Sequence, residues 1–254
     1  TLSNFFSLTN TWNLVKSAAS NAWATVKELD AAMTEIAVVT DMSLKQVWSM
    51  RDEYSSLATD MGAATIDMVN ASKLYYQQGL SQAEVTTAAT ETIKMARIAS
   101  LDGATATNLM TAAVRGFNME MSDAAMINDT YSWLAAKSAA DTHEIADAMT
   151  RTASIAHAAG ATFQNTAAFL TQMIETTREA PENLGTALKT IIARFTEMKK
   201  DPSEIGLVDG EVVDANKLET ALRSVGIALR DNVTGEFRDF DKVIMDISAK
   251  WDNM

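Results

Sequence analysis

The side chains that most often carry out chemistry in proteins are few in this sequence. It contains two histidines, His143 and His157, and no cysteine. His143 opens the run His-Glu-Ile-Ala-Asp, which ends in aspartate where a helical zinc-protease motif has its second histidine. The lack of cysteine excludes thiolate metal ligands, disulfides and cysteine nucleophiles. We therefore interpret both histidines as capping or solvated residues and predict no metal site.

Motifs for phosphate binding and for serine nucleophiles are also missing. The sequence has no Gly-x-Ser-x-Gly, no Gly-x-Gly-x-x-Gly and no Gly-x-x-x-x-Gly-Lys. The acidic pairs Asp52/Glu53 and Asp239/Asp241 fall in polar stretches, and we interpret them as solvated surface residues. We predict that the chain is not an enzyme and has no cofactor.

The overall charge restricts the class of partner. The 254 residues include 21 Lys and Arg against 33 Asp and Glu, a net charge of −12. An acidic surface repels nucleic-acid phosphates and anionic lipid headgroups, so no sequence-specific nucleic-acid partner is expected. The sequence opens at Thr1 without an initiator methionine, and we expect it to be a piece of a longer protein.

The elements that position these residues are predicted to be helices. Proline occurs only at Pro181 and Pro202, and Ala, Met, Leu, Glu, Lys and Gln are abundant. Residues 41–202 are therefore predicted to form a bundle of short antiparallel helices, so the fold class is mainly α. The predicted N-terminal caps are Ser43, Thr65, Ser81, Thr105, Ser122, Asp141 or Thr142, and Thr162. The predicted turns are at Gly62, Gly79, Gly103, Gly116 and Gly160.

Residues 1–40 are predicted to form one long amphipathic helix before this bundle, since apolar residues recur at spacings of three and four. A helix outside a globular core needs a partner for its apolar stripe, so we predict an oligomer interface here. Its predicted contact residues are Leu14, Val26, Leu29, Met33 and Ile36. On this hypothesis, aspartate at the last three positions dissociates the oligomer and leaves residues 41–200 folded.

The pattern of apolar and turn-forming residues changes after Pro202. Short apolar runs flank the turn residues Asp209-Gly210 and again the run Asp231–Gly235, a pattern typical of β-hairpins. Helices are predicted near 216–225 and 239–252, the second packing Phe240, Ile244 and Trp251. Residues 203–254 are therefore predicted to be a small α/β appendage.

The uncharged stretch Thr152–Ile174 has the length of a transmembrane helix. Its glutamines, its asparagine and the turn sequence Gly160-Ala161-Thr162 argue against a bilayer span. We predict a buried helical hairpin that does not insert into lipid.

The order of short sequence motifs along residues 30–254 resembles the core region of phage tail tape measure proteins. The motifs that carry the resemblance include Gln78-Gly79-Leu80-Ser81, Ala113-Val114-Arg115-Gly116-Phe117, Ala159-Gly160-Ala161-Thr162, Gly185-Thr186-Ala187-Leu188-Lys189 and Gly235-Glu236-Phe237-Arg238-Asp239. The sequence departs from the family at Arg178-Glu179-Ala180-Pro181, where the family often has more glycine.

The resemblance implies a structural virion component of the tail lumen or tail tip, present in the host cytoplasm during assembly. Such proteins set tail length and take part in genome ejection. The implied partners are copies of the chain with threefold or sixfold symmetry, tail tube and tail-tip proteins, a tail assembly chaperone and, at ejection, a host membrane. Two other classes stay open: a membrane-active or channel-forming segment released during DNA delivery, and a cell-wall hydrolase.

Overall fold

The computed structural model describes residues 2–197 and 215–250, and the regular elements in these ranges are all helical. This confirms the mainly α class and the single long helix at the start of the chain. The helices are α1 (Leu2–Thr40), α2 (Leu44–Asp60), α3 (Thr65–Gln77), α4 (Gln82–Ile98), α5 (Gly103–Gly116), α6 (Ala124–Lys137), α7 (Thr142–Ala158), α8 (Phe163–Thr177), α9 (Pro181–Glu197), α10 (Ala215–Ser224) and α11 (Phe240–Lys250).

The prediction of an α/β appendage at the C-terminus is wrong for the described residues, which contain no strand. Across Asp231–Gly235 the chain forms one isolated antiparallel bridge, between Arg230 and Phe237. The Asp231 carboxylate accepts from the backbone N–H groups of Val233 and Thr234 at 2.8 and 2.9 Å, so these residues form a turn and the pairing stops at a single bridge. The second predicted hairpin, at Asp209-Gly210, and the residue Trp251 lie outside the described residues.

Several predicted caps are at helix starts: Ser43, Ser81, Asp141 and Thr162. Asp141 shows the reciprocal pattern expected of a capping box, since its carboxylate accepts from the Glu144 backbone N–H at 2.8 Å and its own backbone N–H donates to the Glu144 carboxylate at 2.9 Å. The starts of three other helices differ from the prediction. The helix α3 begins at Thr65 itself, Asp102 caps α5, and a short 3-10 helix, Met121–Asp123, precedes α6.

The cap at α5 gives a pH-dependent prediction. Hydrogen bonds from the Thr105 hydroxyl (2.7 Å) and from its backbone N–H (2.9 Å) lower the pKa of Asp102. A lowered pKa means that this carboxylate stabilises the fold above its unfolded-state pKa, and that the contribution is lost as the pH falls through the folded-state pKa. Asp102→Ala is expected to lower Tm by roughly 2–4 °C at neutral pH. This difference should shrink below about pH 4, and a difference that stays constant down to acid pH in thermal unfolding would contradict it.

Only some of the predicted glycine turns are left-handed. Gly62, Gly79 and Gly160 have positive φ, but Gly103 and Gly116 are the first and last residues of α5. Gly116 is needed for a different reason: a Cβ there would lie 2.3 Å from the Cβ of Ala153 in α7. The left-handed residues at these two connections are Ser100 and Asn118, with φ of 54° and 52°.

The chain divides into two compact units, Thr1–Thr107 and Asn108–Met254, with the boundary inside α5. The predicted division at residues 40 and 202 stays a prediction, and residue 202 lies outside the described residues.

In the first unit the C-terminal part of α1 packs with α2 and α3, and α3 packs with α4. Its interior includes hydrogen bonds between the hydroxyls of Tyr54 and Tyr76 (3.2 Å) and of Tyr75 and Thr92 (2.5 Å). Burial raises the pKa of Tyr54 above its ordinary value, so this hydroxyl stays protonated at neutral pH.

The second unit is organised around α7, which packs against α6, α8 and α9. The crossing of α7 and α9 is close at Gly185, where a Cβ would lie 2.3 Å from the carbonyl oxygen of Ala148. The buried hydroxyl of Thr152 donates to the carbonyl of Gly185 at 2.8 Å, which ties the two backbones together. Small residues at this crossing therefore allow the helix axes to approach each other closely.

The stretch Thr152–Ile174 forms the second half of α7, a turn at Gly160 and most of α8, as the predicted helical hairpin requires. No helix in the described part of the chain combines the length and hydrophobicity needed to cross a membrane.

Hydrogen bonds from Phe240 and to Asp241 join the start of α11 to this hairpin turn. The backbone N–H of Phe240 donates to the carbonyl of Ala159 at 3.1 Å. The Asp241 carboxylate accepts from the Asn165 side chain at 2.7 Å and from the backbone N–H of Thr162 at 3.3 Å. Asp241 is buried, so its interpretation as a solvated residue is wrong. Its burial is tolerated because amide and backbone donors satisfy the carboxylate oxygen.

Candidate assembly surface

The helix α1 contains an exposed amphipathic segment. Every described side chain from residue 13 to residue 28 is exposed to solvent. The exposed fractions of Val15, Trp23 and Val26 are 54%, 63% and 52%. With Ala19 and Ala22 they follow the spacing i, i+4, i+7, i+8 and i+11, which places them on one face of the helix. We call residues 13–27 the α1 segment.

The predicted interface residues fall into two groups. Val26 is exposed and Leu29 is half-buried, whereas Met33 and Ile36 have no exposed surface and belong to the chain's own core. The side chain of Leu14 lies outside the described residues. Met33 and Ile36 are covered because the C-terminal part of α1 packs against α2 and α3, so they are not available to a partner chain. The expectation that aspartate at these two positions leaves the core folded is therefore wrong.

Trp23 and Val15 were not among the predicted contact residues although both are exposed, and the sequence contains a signal for this exposure. The prediction placed most contact residues between Val26 and Ile36. The exposed apolar side chains, however, lie before residue 29. The signal is charge: residues 1–27 contain two lysines, Lys16 and Lys27, and no acidic residue. With +2 in this part and −12 overall, residues 28–254 carry −14.

A second apolar surface is a groove in the second unit. It is formed by α8, α9 and α11 and has a volume of about 390 Å³. Its apolar lining consists of Phe169, Met173, Leu188, Ile191, Phe240 and Ile244, which we call the α8 groove. The remaining described lining residues are Gln172, Thr176 and Thr177, so none of the described residues that line it is charged. The rings of Phe169 and Phe240 pack edge to face with centroids 6.3 Å apart and make the base of the groove rigid.

The residues considered for chemistry do not come together. His143 is exposed at the start of α7, and His157 packs its ring against Phe117 with centroids 6.1 Å apart. Asp52 is exposed and pairs with the neighbouring Arg51 at 2.7 Å. In the described ranges, no group of three or more His, Asp or Glu is arranged to hold a metal ion.

The described residues expose an apolar, basic helix segment and an apolar groove. Such surfaces are typical of proteins that assemble with other proteins. The chain belongs to the phage-related minor tail protein family, which its sequence matches over residues 51–254. It is therefore a structural protein of phage tails, a class that associates with other tail components.

The chain is also similar to the tape measure protein of Pneumococcus phage Dp-1, with 24% identity over 216 residues. The matched region covers 82% of this chain but 18% of the phage protein, so the chain spans less than a fifth of that relative's length. These two matches confirm the predicted resemblance to tape measure proteins. No solved structure matches the chain.

Proposed function

We propose that this chain is a folded part of a tape measure protein, which sets tail length during assembly and takes part in genome ejection. The observation that carries the proposal is the match to the Dp-1 tape measure protein over 82% of this chain. The chain then acts in the tail lumen or at the tail tip, after folding in the host cytoplasm. Its partners are copies of itself in threefold or sixfold arrangement, tail tube and tail-tip proteins, and a tail assembly chaperone.

The dimensions are consistent with a folded part that does not itself set the length. A helix rises 1.5 Å per residue, so the 39 residues of α1 extend about 58 Å. Even the whole chain as one helix would reach only about 380 Å. The other helices are 10 to 17 residues long and pack on one another, which shortens the chain further. The length-setting part of the protein then lies outside these residues.

Deletion of residues 41–250 in the intact phage tests the proposal. The expected result is loss of tails of normal length, seen by electron microscopy, together with loss of infectivity, because the length-setting protein cannot assemble correctly without its folded part. Supplying the full-length protein from a plasmid should restore both properties. Tails of normal length and normal infectivity without this region would contradict the proposal.

A membrane-active segment is the second candidate, and the α1 segment favours it, because basic residues beside exposed tryptophan and valine suit a lipid surface. The predicted hairpin over 152–174 argues against insertion of the second unit, since its polar residues would lack partners in hydrocarbon. Dye release from neutral and anionic liposomes separates the two candidates. The structural proposal predicts no release by the 254-residue chain.

A further inference from the structure

We infer that the α1 segment of one copy docks into the α8 groove of a second copy, with Trp23 as the anchoring side chain. This inference rests on the proposed function, since it specifies the contact through which copies of the chain associate in the tail. The occupant is a second copy because one sequence supplies both an exposed helical stripe and an apolar groove.

The shapes of the two surfaces are complementary. Val15, Ala19, Ala22, Trp23 and Val26 form a stripe that is one helix face wide, the pattern by which a helix lies in an apolar groove. The groove is walled by three helices and has the volume of pockets that accept large side chains. Trp23 is the largest exposed apolar residue of the segment, and buried tryptophans are the commonest anchors of protein interfaces. The alanines beside Trp23 let the helix approach the groove closely.

Charge favours docking of the segment on a different part of the second copy over pairing of two segments. The segment contributes Lys16 and Lys27 to a part of the chain with net +2, and residues 28–254 carry −14. Two segments side by side would repel each other, whereas a segment and the acidic remainder of a second copy attract. The described residues that line the groove include no charged side chain, so docking there buries no charge of the groove.

A contact between two different surfaces has a consequence for symmetry. Such head-to-tail contacts repeat from copy to copy and close into a ring when the rotation allows it. Pairing of identical segments would produce a twofold dimer. The docking contact is therefore compatible with the threefold or sixfold arrangement proposed for the tail, and a twofold contact alone is not.

Cysteine cross-linking tests this contact directly, because the natural sequence has no cysteine and any disulfide must join introduced residues. A V26C chain is mixed with an M173C chain, oxidised, and compared with V26C mixed with I98C, an exposed apolar position on the first unit. We expect about tenfold more linked dimer from V26C with M173C, because docking raises the effective concentration of the two thiols.

A matched pair of charge variants checks the anchor. Trp23→Asp on the V26C chain should reduce the cross-linked yield about tenfold, because a charge replaces the buried anchor. Ser17→Asp adds the same charge on the opposite helix face and should leave the yield unchanged. Both positions are exposed in the single chain, so neither variant is expected to change the melting temperature.

The other outcomes would overturn the inference in distinguishable ways. A dominant V26C–V26C product would assign the segment to helix pairing and leave self-association standing. Monomeric sedimentation with no cross-link would remove self-association from the proposed function as well. Binding to phosphatidylserine-containing vesicles that is lost in Trp23→Asp but kept in Ser17→Asp, without the V26C–M173C product, would assign the segment to a membrane surface. None of these results affects the phage deletion test.

Discussion

Gly185→Ala is expected to destabilise the second unit strongly, although alanine is the better helix former. In an exposed helix interior this substitution would stabilise by about 1 kcal/mol. Here the new Cβ would lie 2.3 Å from the Ala148 carbonyl oxygen and 3.0 Å from the Cβ of Arg151. The helices α7 and α9 must then separate, at a cost of about 3 kcal/mol and roughly 6–12 °C in Tm. Thermal unfolding followed by far-UV circular dichroism measures this change.

Gly116 provides the matched control for this prediction. A Cβ at Gly116 would meet the side chain of Ala153 at 2.3 Å, not a backbone carbonyl. Gly116→Ala should therefore destabilise, and adding Ala153→Gly should recover part of the loss, because the methyl group has moved from one helix to the other. No side-chain truncation can rescue Gly185→Ala in this way. An increase in the Tm of the Gly185→Ala variant would contradict the close crossing.

Met33→Asp combined with Ile36→Asp is expected to unfold the first unit. Both side chains are fully buried where α1 packs against α2 and α3. Each substitution removes apolar packing and buries a carboxylate, which should cost at least about 4 kcal/mol per position. The salt bridge between Glu35 and Lys73, at 2.8 Å, lies on the exposed side of the same contact and cannot compensate.

Val26→Asp is the control on the same helix. Val26 is 52% exposed, so the free energy of unfolding should change by no more than about 0.5 kcal/mol. Hydrogen exchange of the α2–α4 amides distinguishes the variants: protection is lost with aspartate at positions 33 and 36 and retained with Val26→Asp. Retained protection in the double variant would show that this part of α1 is not a core element.

The fold was largely predictable from local chemistry, and the errors have physical causes. Ser43, Asp141 and Thr162 are caps because their hydroxyl or carboxylate oxygens accept from free N–H groups. Ser81 begins α4 through its backbone N–H and its hydroxyl, which both donate to Glu84. These are properties that the local sequence contains. Gly116 was interpreted as a turn because glycine favours positive φ. Its actual role is contact with Ala153, nearly forty residues away, which no local pattern shows.

The spacing of apolar residues predicted the stripe along α1 but not which part of it stays exposed. The spacing of apolar residues is similar along α1, so periodicity alone does not separate Met33, which packs inside the chain, from Trp23, which does not. What separates them is the presence of α2 and α3 beside one end of the helix, a tertiary feature. The buried carboxylate of Asp241 was missed for the same reason, since its donors Asn165 and Thr162 come from a distant hairpin turn.

Quantitative mass spectrometry of purified virions, before and after DNA ejection, tests the central claim most directly. The account predicts that peptides from residues 41–197 are present in intact virions at a low, fixed ratio to the tail tube protein. It also predicts that they are lost from the tail once the DNA has left, while the tube protein remains. Peptides that are abundant in the infected-cell lysate but absent from purified virions would contradict the assignment of this chain to the tail.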